Sequence, residues 1–163
     1  MARYITKENP STISAAVADG MSELQSLRDE VREVADNASG TALENTQRIQ
    51  TLSETADTLD SYVDDEPDAP AFLADLPTKY TTTHNARKGR GDSRATRHDN
   101  AINALRAAAD EVASWLEDVE GNTEGKTEEE REEMKDAAET YKDAIEEVVD
   151  NLDGAVEYPG MFG

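Results

Sequence analysis

Apolar residues in this chain recur at steps of three and four over long stretches, the period of one buried helix face. Between 11 and 38 they are Ile13, Val17, Met21, Leu24, Leu27, Val31, Val34, Ala35 and Ala38, and the run opens at Ser11 or Thr12 after Pro10. A second stripe, Leu43, Ile49, Leu52, Ala56, Leu59 and Val63, predicts a helix over 41–64. Thr41-Ala-Leu-Glu44 marks its start as a capping box, in which threonine and glutamate satisfy each other's free amides. The heptad register runs on through Gly40, but Ser39-Gly40 followed by that box favours two helices over one. A third stripe, Ile102, Leu105, Ala109, Val112, Leu116 and Val119, predicts a helix over 99–120 with Trp115 at the seam edge. The fourth, Met134, Ala138, Tyr141, Ile145, Val148 and Leu152, lies in 127–153, opened by Thr127 and Glu130 and stopped by Gly154.

Between 65 and 98 the periodicity lapses. DDEPDAPAFLADLPTKYTTTHNARKGRGDSRATRHD holds Pro67, Pro70 and Pro77 and reads as a long irregular loop. One helical turn fits Ala71 to Leu76, with Phe72 as a docking point. The expected fold is therefore all-α: a single helical domain of four long amphipathic helices in an antiparallel bundle or coiled-coil arrangement. The basic loop joins the second and third helices. The tail, 154–163, ends in Tyr158, Met161 and Phe162, read as exposed contacts for a neighbour.

Charge changes the picture. Leu, Ile, Val and Phe make up only 26 of 163 residues while net charge is -21, a combination usual in disordered chains. The regular placement of those aliphatics argues for folding instead. High salt reconciles the two, because molar ionic strength shortens the Debye length to roughly 3 Å and screens acidic self-repulsion. With 37 acidic residues and Arg exceeding Lys by ten to six, the composition resembles that of haloarchaeal proteins, including proteins of viruses infecting such hosts. The resemblance covers the whole chain and names no family.

Cysteine is absent, which excludes disulfides and thiolate chemistry. MARYITKENPSTIS carries no apolar leader core, and no stretch is long enough to cross a bilayer, so a cytoplasmic or virion location is expected without membrane contact. GNTEGKT, 121–127, has three residues between its glycines where a P-loop needs four, and EEEREE follows at once, so it reads as a turn. DDEPD and EEEREE lack the spacing of calcium loops. GRGDS, 89–93, reads as a chance match to an adhesion pentapeptide, and Asn37-Ala38-Ser39 is a sequon without an export signal. His84 and His98 have no serine or carboxylate partner that spacing can assign. No cofactor, metal or catalytic group is expected.

The strongest pointer is HNARKGRGDSRATRH, 84–98, at +4 within a chain whose remainder carries -25. Arg87, Lys88, Arg90, Arg94 and Arg97 are expected to grip an acidic surface of another subunit through guanidinium forks. Phe72, Tyr158, Met161 and Phe162 complete the expected contact set. The function read from this is a non-enzymatic structural or assembly subunit, itself homo-oligomeric, with a head-tail adaptor of a haloarchaeal tailed virus as the concrete instance. Two other classes fit the composition: a nucleic-acid binder using the same cations on phosphates, and an acidic DNA mimic using the helix faces.

Overall fold

The computed structural model describes residues 3–87 and 89–160. In them the chain runs β1 (Tyr4–Thr12), α1 (Ile13–Ala38), α2 (Gln47–Val63), α3 (Ala71–Ala74), β2 (Pro77–Asn85), α4 (Arg94–Glu117), α5 (Val119–Asn122) and α6 (Glu128–Leu152). The all-α expectation is overturned. The fold is mixed α/β, with a two-stranded antiparallel sheet and six helices among the described residues, not four long helices alone.

Each helix boundary has a local cause. α1 starts at Ile13 rather than residue 11, because Ser11 and Thr12 complete β1 and the Thr12 side chain accepts from the Ala15 amide at 3.3 Å. The Thr41–Glu44 box does not open α2. Glu44 instead accepts from the Gly40 amide at 2.7 Å, Gly40 takes φ +73°, and the chain turns until Gln47. Thr127 and Glu130 do form their reciprocal cap at the start of α6. α4 begins five residues before the expected 99, with the Ser93 hydroxyl accepting from the Thr96 amide at 3.1 Å.

α1 packs between α2 and α4, and α6 lies against the other flank of α4. The neighbours run antiparallel. Gln25 donates to the Val63 carbonyl at 2.7 Å, Arg28 pairs with Asp60 and Asp64, and Arg32 pairs with Asp57 and Asp60. α1 lies tight against α4 at Gly20, where a Cβ would stand 2.9 Å from the Ala101 carbonyl oxygen and 2.9 Å from Leu105 Cγ. Val17, Met21, Leu24, Leu27, Leu52, Leu59, Ile102, Leu105, Ile145 and Leu152 fill the core between these helices. Burying such side chains stabilises by roughly 1.5–3 kcal/mol each, before chain entropy is charged against it.

The stretch 65–98 is not an irregular loop. It contains α3, whose Ala74 carbonyl accepts from Ser14 at 2.9 Å, all of β2, and the first turn of α4. β2 pairs with β1 along its whole length, from Tyr4 opposite Asn85 to Thr12 opposite Pro77. The outer edge of β2 is covered by α4. Asn100 donates to the Thr83 carbonyl at 2.9 Å and accepts from the Thr83 amide at 2.8 Å, while Asn103 donates to the Thr81 carbonyl at 3.2 Å. Two asparagines thus stand where a third strand's backbone would, which lets a polar, threonine-rich ribbon be held against helices.

Candidate functional site

The ribbon delivers its free end and the loop after β2 to one place. Arg3, Tyr4, Asn85, Arg87 and Arg90 line a hollow of about 230 Å³ at this tip. All three arginines are exposed, and among the described residues no carboxylate lies within ion-pair distance of any of them. Arg3 was absent from the sequence-based set. Its place opposite the basic loop follows only from the β1–β2 register, which continues through the bond from the Ala86 amide to the Arg3 carbonyl at 3.0 Å.

Arg94 and Arg97 have different surroundings. They sit on the first turn of α4 and point at α1: Arg94 meets Glu30 at 3.3 Å, and Arg97 binds Glu30 at 2.6 Å and also Glu23. Burial alone would raise the Glu30 pKa, but the hydrogen bonds from Arg97 and Arg94 outweigh it and hold the carboxyl below its ordinary range. Two of the five basic residues therefore join helices within the chain. Phe72 packs on Trp115 with ring centroids 5.0 Å apart, and Tyr158 binds His98, so both make contacts within the chain. Lys88, Met161 and Phe162 lie outside the described residues.

The loop is fixed at its far end by Asp92, the acid of GRGDS. One Asp92 oxygen accepts from the Asn85 amide at 2.6 Å and the other binds His84 Nδ1 at 2.8 Å. Burial would push the Asp92 pKa up, yet the Asn85 amide and then His84 win, and the carboxyl stays below its usual value. This clamp ties residue 92 back to the strand end and leaves Arg87 and Arg90 on a short closed loop. Losing a hydrogen bond to a charged group costs about 1.5–3 kcal/mol. Asp92→Ala should accordingly raise the rate of tryptic cleavage after Arg87 and Arg90 about tenfold or more, with helix content unchanged. Equal cleavage of both proteins would show that the clamp does not hold the loop.

The same clamp borders the larger cleft, about 520 Å³, between β2, α1 and α4. Tyr80, Thr82 and His84 form one wall, Asp19 and Glu23 another, and Gly20 and Ala101 are part of the remaining lining. His84 Nδ1 lies 2.8 Å from the Asp92 carboxylate and its Nε2 lies 2.7 Å from the Thr82 hydroxyl. Hydroxyl, imidazole and carboxylate in this order form the array that activates a nucleophile in acyl-transfer enzymes. Here Thr82 is only 8 % exposed and its oxygen also accepts from Asn9 at 2.9 Å. The adjacent Thr83 amide and the Arg97 guanidinium, donors that could face an oxyanion, are engaged by Asn100 and by Glu23 and Glu30. The array closes the loop onto the ribbon. Spacing along the strand puts residues 82 and 84 on one face, but nothing local places Asp92 beside them.

Among the described residues no cluster of three metal-ligating side chains occurs, and no helix is long and apolar enough to cross a membrane. Comparison with protein-family models, with curated proteins and with solved structures finds no match to this chain.

Proposed function

We propose that the protein is a non-enzymatic assembly subunit that docks through the arginine tip of its ribbon onto an acidic protein surface. The carrying observation is the set Arg3, Arg87 and Arg90, gathered around one hollow without an ion-pair partner among the described residues, on a chain of net charge -21. Arg94 and Arg97 are neutralised by α1, so the tip stands as a positive pole on an acidic body. Guanidinium forks pair two-pronged with carboxylates and keep their charge at any working pH. Opposite poles also orient the approach of a neighbour. A virion adaptor of a salt-adapted virus is the setting that composition favours. Nucleic acid is the weaker partner, because the acidic body repels a duplex and strong salt weakens phosphate contacts.

The test is a pull-down from lysate of a halophilic host in molar KCl, comparing wild type with the Arg3→Ser, Arg87→Ser, Arg90→Ser triple variant. An acidic protein retained by wild type and lost by the variant is the expected result. Nuclease-sensitive material lost in the same way would move the assignment to nucleic acid. Identical species in both lanes would end the tip reading.

A further inference from the structure

The ribbon has one covered edge and one open edge. Odd-numbered residues of β1 bond to β2, as the Arg3 carbonyl does with Ala86 and as the register continues with the Ile13 amide on Leu76 at 3.0 Å. The amides and carbonyls of Tyr4, Thr6 and Glu8 therefore point away from β2. Pro10 belongs to the same outward set, where its missing N–H costs no ladder bond. Tyr4 and Ile5, 53 % and 56 % exposed, are two of the three large hydrophobic residues left open to solvent among the described residues. An open strand edge with exposed apolar side chains is a template for another strand.

We propose that its occupant is the β1 strand of a second copy of this chain, paired antiparallel about a two-fold axis through Thr6. Charge and backbone chemistry select this register. Centred on Thr6, Tyr4 faces Glu8 of the other copy, Ile5 faces Lys7, and the aliphatic stem of Lys7 covers Ile5. Centring on Ile5 sets Arg3 opposite Lys7. Centring on Lys7 stacks two lysines and puts Tyr4 opposite Pro10, which has no hydrogen to give. The Thr6 register avoids both faults and ends before Pro10. The product is a four-stranded sheet, β2-β1-β1-β2, in which the two arginine tips point in opposite directions. Its strand contact is short compared with the roughly 1,200 Å² of a stable interface, so the dimer is weak and depends on concentration. Each copy carries -21, so dimerisation strengthens as salt screens that charge.

Because the chain has no cysteine, a single introduced one reports the pairing cleanly. In this register the two Thr6 Cα atoms lie about 5.5 Å apart, within disulfide reach. Under oxidising conditions in molar KCl, Thr6→Cys should yield about tenfold or more disulfide-linked dimer than Thr81→Cys, which sits one strand further out. Sedimentation of wild type should show self-association that rises with KCl. Thr6→Pro should abolish it while circular dichroism keeps the helical signal, since the Thr6 amide takes no part in the β1–β2 ladder. Equal cross-linking at both cysteines, or a Thr6→Pro protein that still associates, would overturn the proposal. The arginine triple variant should still dimerise, so failure here and failure of the docking tip are read separately. Association lost in that variant but kept in Thr6→Pro would assign self-contact to the tip instead.

Discussion

Gly20→Val should lower the stability of the folded chain by about 3 kcal/mol, seen as a fall of roughly 6–12 °C in the unfolding midpoint in molar KCl. At Gly20 α1 leaves no room for a side chain against α4, and the obstructing atom at 2.9 Å is the Ala101 carbonyl oxygen, part of the helix backbone. A side chain there cannot rotate an obstacle away; it must push the helices apart. Leu105 blocks the other direction, with Cγ at 2.9 Å and Cδ2 at 3.2 Å. Gly20→Ala tests the same contact more gently. Alanine gains up to about 1 kcal/mol of helix propensity, against an overpacking cost of about 1–3 kcal/mol. Net destabilisation by alanine would confirm that close approach, rather than local flexibility, requires the glycine. A more stable alanine variant would show that the helices separate freely.

The second large effect is expected at His98. The ring is 3 % exposed and both nitrogens are bonded: Nε2–H donates to the Leu152 carbonyl at 2.9 Å, and Nδ1 accepts from the Tyr158 hydroxyl at 2.8 Å. The Leu152 carbonyl can only accept, so it fixes the tautomer. His98 thereby joins the start of α4 to the end of α6 and to the following tail. His98→Ala removes both bonds and leaves a void, which should cost about 3 kcal/mol. The ring also makes stability depend on pH. Burial lowers its pKa in the folded chain, outweighing the Leu152 bond and the charges of Asp99 and Asp153. The unfolded chain then binds the proton more readily, so the contribution is complete above about pH 6.5 and is lost as pH falls below it. Midpoints measured from pH 7.5 to 5.5 should drop for wild type and flatten for His98→Gln. Superimposable profiles would remove His98 from the account.

His98 also shows what the sequence could reveal. It lies four residues before Ile102 on the same stripe, so the buried face of α4 extended further back than the aliphatic residues alone suggested. Helical faces were legible because each is a local repeat. Val17, Met21, Leu24, Leu27 and Val31, then Leu52, Ala56, Leu59 and Val63, are buried where the period puts them. The ribbon was not legible, since its pairing joins Tyr4 to Asn85 and its inward residues include Asn9, Thr78 and Thr82 rather than aliphatics. Its alternation is polar on polar, and period-two reasoning looks for apolar against polar. Thr41–Glu44 and Thr127–Glu130 have the same pattern, yet only the second caps a helix. In the first, the glutamate reaches the Gly40 amide and serves the reversal between α1 and α2. The basic stretch was visible as charge, but its division between Arg87 and Arg90 at the tip and Arg94 and Arg97 on α1 depended on where α4 begins.

The long register between β1 and β2 has a consequence for when the tip exists. Arg3 comes from one end of a chain segment and Arg87 and Arg90 from the other, with α1, α2 and α3 between them. Closing so large a loop has an entropic cost that grows slowly with length and is recovered only once the strands pair. During synthesis the hollow cannot form until the residues after β2 have emerged and the N-terminal strand is still free to meet them. A half-made or half-unfolded chain presents scattered arginines and no socket. The arginine hollow is thus tied to the pairing of the two strands that deliver it and has no existence apart from the ribbon.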